Sequence, residues 1–349
     1  MKENKGLKPQ HVAIAVVLAV IVLGVIGYFL FFNPSSGSSS GNSNSTISAS
    51  YPPVFLTVVS NFSNPFLNQT LIVGNLSSLI PNLSVSYVDL SSPEGLALQN
   101  AVNASFAPFY VFNASILNSP AFPSLLKVLA SKPNGDYVLN SFETNQGLLL
   151  NNETQPFSLK LFVTPYDPHA WQAENNTYSF LSNFSTPVNF SIGYIVGLNG
   201  SNYVSLNGPN ELEETALQVC LNYQNSTDLK FYLGCLNNQL YQNFFNTSNV
   251  SMTGLFYRAY LSAQTCAEGV GAYNVSEAGA CAVQCLNATL NSSNPVCNAN
   301  TSILGSEYQV DQAYHVIATP TYVFNNQYVH VGVLSPGEVQ KIMCELNNC

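Results

Sequence analysis

Charge is what this sequence has least of. Only 8% of its 349 residues are Asp, Glu, Lys or Arg, and just nine are basic. Lys2, Lys5 and Lys8 take three of those nine, and the next basic residue is Lys127. Lys132, Lys160, Lys230, Arg258 and Lys341 complete the set. Six scattered cations cannot track a phosphate backbone, so nucleic acid is excluded as a partner. Cysteine is absent from the first 219 positions, and none of the eight that follow stand in Cys-x-x-Cys spacing. Histidine occurs four times. A zinc site, which needs clustered Cys and His, has no support, and no metal or other cofactor is expected. The chain also lacks a phosphate-cradling glycine loop, a nucleophile elbow and a zinc-protease helix motif. Tryptophan occurs once, as Trp171.

What is present begins with a membrane anchor. Val12 to Phe32 is an uncharged run of 21 residues, enough to cross a bilayer as a helix. The lysines lie before it, so the positive-inside rule places residues 1–11 in the cytoplasm and the rest outside the cell. A cleaved signal peptide is the rival reading, but the run is long and no small-x-small site follows at once. Residues 33–52, nearly all Ser, Gly and Asn up to Ser50, read as a flexible tether. Nineteen Asn-x-Ser/Thr sequons run from Asn44 to Asn300. Each alone is weak, yet their density suits a glycosylated surface protein. Low charge, a net charge of −9 and abundant Asn, Ser and Tyr resemble exported proteins of acid-living archaea.

The cysteines are Cys220, Cys235, Cys266, Cys281, Cys285, Cys297, Cys344 and Cys349. An even number in an oxidising compartment reads as disulfides. Eight allow 105 connectivities; local pairing gives Cys220–Cys235, Cys266–Cys281, Cys285–Cys297 and Cys344–Cys349. Each such short loop contributes about 3 kcal/mol.

Two stretches past the tether share one order of elements. From 53 to 151, Val54–Val59 reads as a buried strand, followed by Asn64-Pro65-Phe66-Leu67 and an apolar helix from Thr70 to Ile80. A second strand (Ser84–Leu90), a capped helix to Val102, and Ala107-Pro108 before Phe109-Tyr110-Val111-Phe112 come next. A further helix is expected from about Ser119 to Ser131. From 155 to 349, Ser158–Thr164 alternates as a strand and leads into Asp167-Pro168-His169-Ala170 at a helix start. A second strand covers 187–196, and residues from about 206 to 314 read as mostly helical. Then come Thr319-Pro320, the strands Thr321–Phe324 and Tyr328–Val333, and a helix opened by Ser335-Pro336-Gly337-Glu338.

Helix, Thr-Pro, hairpin, helix resembles the closing half of a thioredoxin-like domain. The resemblance implies an α/β fold of two such domains, each a central mixed sheet flanked by helices, in a tandem similar to protein disulfide isomerases. It also implies that Pro320, and more weakly Pro108, is cis and that its loop faces the redox motif; the alternative is an ordinary trans proline opening an edge strand. The second domain resembles the DsbA branch in its helical insertion. Ser205 to Cys220 is similar in spacing to the signature of gamma-interferon-inducible lysosomal thiol reductases, matching at Gly208, Glu211 and Cys220 and departing at Ser205, Leu212 and Thr215. A DsbA-type enzyme has Cys-Pro-His-Cys where this chain has Asp167-Pro168-His169-Ala170. In the first domain Asn64 and Leu67 stand where the cysteines of a Cys-Pro-Phe-Cys motif would be.

Dithiol chemistry needs a thiolate at a helix N-terminus and a second thiol one turn on. Asp167 and Asn64 are instead good helix caps, so both motifs are read as redox-dead, with no catalytic residue assigned. His169 beside Asp167 invites an acid–base reading, weighed against an exposed remnant of the motif. Trp171 marks either a groove or a core anchor. His330 reads as a surface strand residue, and Cys281 and Cys285, at i and i+4, as structural staples. Two functions remain. One is a membrane-anchored binder of exported polypeptides or an envelope partner, using the groove beside the Pro320 loop. The other is a thiol–disulfide oxidoreductase or isomerase using non-standard cysteines.

Overall fold

The structure, a computed structural model, describes residues 51–67, 69–139, 146–200, 202–224, 226–245, 266, 303–316 and 318–349. The anchor at 12–32, most of the tether, and Cys281, Cys285 and Cys297 lie outside these residues. Among the described residues no helix is long and apolar enough to cross a membrane.

The first sheet is built on β1 (Val54–Ser60), whose Val54, Leu56, Val58 and Val59 are all buried because layers cover both faces. Helix α1 (Thr70–Leu79) follows, and β2 (Leu83–Asp89) returns parallel to β1. Helix α2 (Pro93–Val102) starts at Ser92, whose hydroxyl accepts from the Gly95 N–H at 3.0 Å, and stops at Asn103 with φ 50°. Two short strands come next, β3 (Phe106–Ala107) and β4 (Phe109–Phe112), divided by the cis Ala107–Pro108 peptide.

The long helix expected over 119–131 does not form. A 3-10 turn at Ala114–Asn118 leads to a four-residue helix, α3 (Phe122–Leu125), and then to β5 (Leu129–Ser131). Pro120 and Pro123 are tolerated only at the start of a helix. Residues 129–131 also do better as a partner for β6 (Tyr137–Leu139), across a turn closed by Gly135 at φ 86°. The finished sheet has the order β2-β1-β4-β6-β5.

The second sheet starts earlier than the 151/155 boundary. Gln146–Leu149 forms β7, which pairs with the closing hairpin of the second sheet. The chain then runs through β8 (Ser158–Val163), α4 (Pro168–Asn183) and β9 (Asn189–Tyr194). A small hairpin follows, β10 (Gly197–Asn199) with β11 (Asn202–Val204), and after it α5 (Pro209–Gln224) and α6 (Ser226–Phe245). Helix α7 (Ile303–Ala313) leads to β12 (Thr321–Phe324), β13 (Tyr328–Val331) and α8 (Pro336–Asn347). A reciprocal Ser335–Glu338 capping box sets the start of α8.

The strand order is β3-β7-β13-β12-β8-β9, with β8 and β9 parallel and the other pairs antiparallel. Both sheets therefore contain the thioredoxin-like sequence of a parallel β–α–β unit followed by antiparallel strands, the first of which opens after a cis proline. Leu159, Leu161 and Val163 of β8 face a large core shared with α4, α5, α6 and α8. Phe162 faces the other way, into a smaller cluster with Phe106, Leu149 and Val323.

Candidate functional site

Strand β8 delivers Thr164, Pro165 and Tyr166 to the start of α4. Asp167 is the cap residue: its carboxylate accepts from the His169 backbone N–H at 3.0 Å and stands 3.2 Å from His169 Nδ1. Pro168 occupies the first helical position, where its missing N–H costs nothing. The His169 side chain is 70% exposed, against 13% for Asp167. Ala170, one turn into the helix, is fully buried, and so is Trp171, whose indole N–H donates to the Pro165 carbonyl at 2.6 Å. Trp171 is thus a core anchor that fixes the bend before the helix. It does not line a groove.

The Pro320 loop lies against this bend. The Thr319–Pro320 peptide is cis, and the Thr319 hydroxyl accepts from the Thr164 N–H at 3.1 Å. On the other side, Gly332 N–H donates to the Pro320 carbonyl at 2.9 Å and the Thr321 hydroxyl to the Ala318 carbonyl at 2.6 Å. The Thr164–Thr319 bond thus joins the Pro320 loop to the end of β8, three residues before the Asp167 cap.

A buried acid supports the bend from behind. Glu211, fully buried, accepts from the Tyr166 N–H at 2.9 Å, the Ser205 hydroxyl at 2.6 Å, and the Asn207 backbone and amide at 2.8 and 2.9 Å. It ties the helical insertion to the motif. Glu211 stood out in the sequence only as one of three matches to the thiol reductase spacing. Nothing there pointed to its role. A second acid, Glu174, lies under the helix and accepts from the Asn237 amide. Burial pushes its carboxyl up to about 8, against the opposing effect of the Asn237 bond. Glu214, also raised by burial, accepts from Gln218 and the Tyr232 hydroxyl.

The first module's motif lies elsewhere and is put to a different use. Asn64 Oδ1 accepts from the Phe66 N–H at 3.0 Å, closing an Asx turn. Leu67 is buried in the core of the second module, and Phe66 packs on Tyr328 with ring centroids 5.3 Å apart. The residues just before Pro108 are paired as well. Phe106 faces Leu149 and Ala107 faces Leu148, antiparallel, so β7 lies as an extended strand along the first module's groove. Phe66, Leu67, Phe106 and Ala107, the residues beside Asn64-Pro65 and Pro108, form the joint between the modules.

The cysteines stand apart from both motifs. Cys235 bonds Cys266, with Cα atoms 5.7 Å apart and a sequence separation of 31. That overturns the local pairs Cys220–Cys235 and Cys266–Cys281: fold geometry, not loop length, selects the partner. Cys344–Cys349 forms as expected. Cys220 is buried and disulfide-bonded. Among the described residues no cysteine is free and no group of three metal-ligating side chains gathers.

His330 is not a surface residue. It is half-buried against Tyr322, with Nδ1 3.3 Å from the Gln146 amide, and desolvation lowers its pKa. β7 supplies that partner, a strand that the sequence did not mark.

No protein-family model matches the chain, and no curated protein is similar to it. Solved structures similar to it include reduced DsbA1 from Neisseria meningitidis, at 10% identity and a TM-score of 0.39, covering 59% of this chain and 94% of that one. The DsbA disulfide interchange protein from Klebsiella pneumoniae is 11% identical, with a TM-score of 0.34 over 58% of this chain and 93% of its own. DsbL from Salmonella enterica serovar Typhimurium is 10% identical, with a TM-score of 0.34 over 59% and 96%. These similarities concern the fold alone.

Proposed function

We propose that this chain is a membrane-anchored, extracytoplasmic thioredoxin-fold protein that holds extended polypeptide and does not exchange disulfides. The observation that carries this reading is internal to the molecule. In the first module, the backbone before Pro108 already holds a strand by antiparallel pairing. The second module repeats the loop at Ala318 and Thr319, both half-buried, and among the described residues no strand pairs with them. Main-chain pairing of this kind gives affinity without a fixed sequence, which suits exported polypeptides or an envelope partner. The motif beside the loop offers an exposed imidazole and a cap carboxylate. A helix-terminal thiolate, the requirement for thiol exchange, is absent from Asp167 and Ala170.

The test is site-specific cross-linking. A photo-reactive amino acid replaces His169 in the full chain, which is mixed with reduced, carboxymethylated lactalbumin as a permanently unfolded polypeptide. Cross-links form from position 169 and not from the exposed control position Asn82. In parallel, the chain leaves the rate of insulin reduction by dithiothreitol unchanged. Faster insulin reduction without cross-links would overturn the reading in favour of an oxidoreductase.

A further inference from the structure

The six-stranded sheet ends at β9, and β9 is guarded along only part of its length. Asn189 and Ile195 donate inward, to the Phe157 and Val163 carbonyls, each at 2.9 Å. Backbone groups alternate along an edge strand, so the N–H groups of Phe190, Ile192, Tyr194 and Val196 point away from the sheet. Helix α7 covers the last two: Glu307 accepts from Tyr194 and Asp311 from Val196, both at 2.8 Å. Among the described residues no group accepts from Phe190 or Ile192.

Phe190 and the buried Ile192 also line a cavity. It lies between α4, β9, the end of α5 and the start of α6 and has a volume of about 280 Å³; Tyr178, Leu181, Phe190, Ile192 and Leu229 form its apolar wall, and Ser182, Ser191, Asn222 and Thr227 its polar one. Tyr178 and Phe190 meet edge to face with centroids 5.7 Å apart. The rim carries Lys230, whose ammonium stands 5.5 Å from the centre of the Tyr178 ring. Lys230 is one of only six basic residues after Lys8.

We infer that the open half of β9 is a second polypeptide-binding site, separate from the Pro320 loop. It takes an extended strand that pairs with Phe190 and Ile192, sets one apolar side chain into the cavity and presents a carboxylate to Lys230. Three observations select this occupant. The volume lies just under the roughly 300–1,000 Å³ of small-molecule pockets, but it has room for one large side chain. The open amides lie beside it in strand geometry, which a strand partner can use and a free small molecule cannot match along its length. The cation over an aromatic wall calls for an anionic group. A second copy does not supply that group through its own β9, since Asn189–Tyr194 contains no acidic residue.

The experiment uses the detergent-solubilised full chain and a fluorescein-labelled eight-residue peptide. The peptide alternates valine with threonine and ends in phenylalanine and glutamate. Fluorescence anisotropy follows binding. The wild-type chain binds saturably, and binding weakens with added salt. Lys230→Glu weakens it by about tenfold or more. Phe190→Pro removes one outward N–H at an edge, where proline is tolerated, together with the ring that walls the cavity, and weakens binding at least as much while circular dichroism is unchanged. Lys341→Glu, a charge reversal on the exposed face of α8, has no effect. The Lys230→Glu chain keeps its cross-link from position 169, so failure here leaves the loop reading standing, and the converse holds. Absence of saturable binding up to about 1 mM, or equal binding by all variants, overturns the inference. A concentration-dependent dimer abolished by Phe190→Pro would also overturn it, because β9 would then serve self-pairing.

Discussion

Gly147 sits where β7 passes the ring of Phe106, and it is the residue through which the joint between the modules can be tested most directly. A Cβ at this position would stand 1.9 Å from Phe106 Cε1, 2.0 Å from Cζ and 2.8 Å from the Ala107 carbonyl oxygen. Gly147→Ala therefore forces the buried Phe106 ring out of its place. Overpacking of this kind costs about 1–3 kcal/mol. Phe106→Ala alone empties part of the small cluster around Leu149, Phe162 and Val323, at about 3–5 kcal/mol. In the double variant the new methyl group enters space the ring has left, and only the Ala107 oxygen is still crowded. The two costs then fail to add, with a coupling of about 1–3 kcal/mol in favour of the double variant. Urea unfolding followed by the fluorescence of Trp171, the only tryptophan, measures all four chains. Additive costs within about 0.5 kcal/mol, or a Gly147→Ala chain as stable as the wild type, would refute the close packing of β7 beneath β3.

Three further outcomes are expected. Glu174 and Asp311 have folded-state values pushed up by burial to about 8, above the 4.5 and 3.8 of the free carboxyls. The folded state thus holds protons that the unfolded state releases. Stability is full below pH 4 and falls as pH rises towards 8, by about 1.4 kcal/mol per pH unit and group at most. The melting temperature measured from pH 4 to 8 should decline, and Glu174→Gln should flatten the decline; a rising curve would contradict the burial of these acids. Asp167→Ala removes the carboxylate that accepts from His169 and should cost about 1 kcal/mol in urea titrations, whereas no loss would deny it a capping role. Mass-tag alkylation of the unfolded, unreduced chain should label no cysteine; a labelled pair, or one opened by mild reductant, would return thiol exchange to consideration.

The sequence made the long-period features legible. The strand at 158–163, the helix starting at Pro168, the hairpin after Pro320 and the Ser335 cap all have strong local signals, and all are found. Other elements carry weak local signals or owe their form to distant partners. Gln146–Leu149 is only four residues long and has no turn chemistry to mark it, and its role follows from Phe106 and Tyr328, far away in sequence. Two prolines and the local hairpin of β5 with β6 broke the helix expected at 119–131. Cys235 passed over its nearest neighbour for Cys266 because sulfurs join where the fold puts them. Within the site, Asp167, His169 and Thr319 were visible as motif residues. Glu211 was visible only as a spacing match and Glu174 not at all, because a carboxyl group buried among hydrogen-bond donors has no periodicity to announce it.

The pairing of β3 with β7 also bears on how such a chain can change over generations. A tandem built by duplication usually leaves two units that can be copied, shuffled or lost separately. Here the first unit contributes a strand to its neighbour's sheet, and the neighbour's strand fills the first unit's groove. Excising either one would strip the other of an edge and expose a row of backbone donors and acceptors. The two halves are therefore heritable only as a pair, and a substitution at Phe106 or Gly147 is answerable to both.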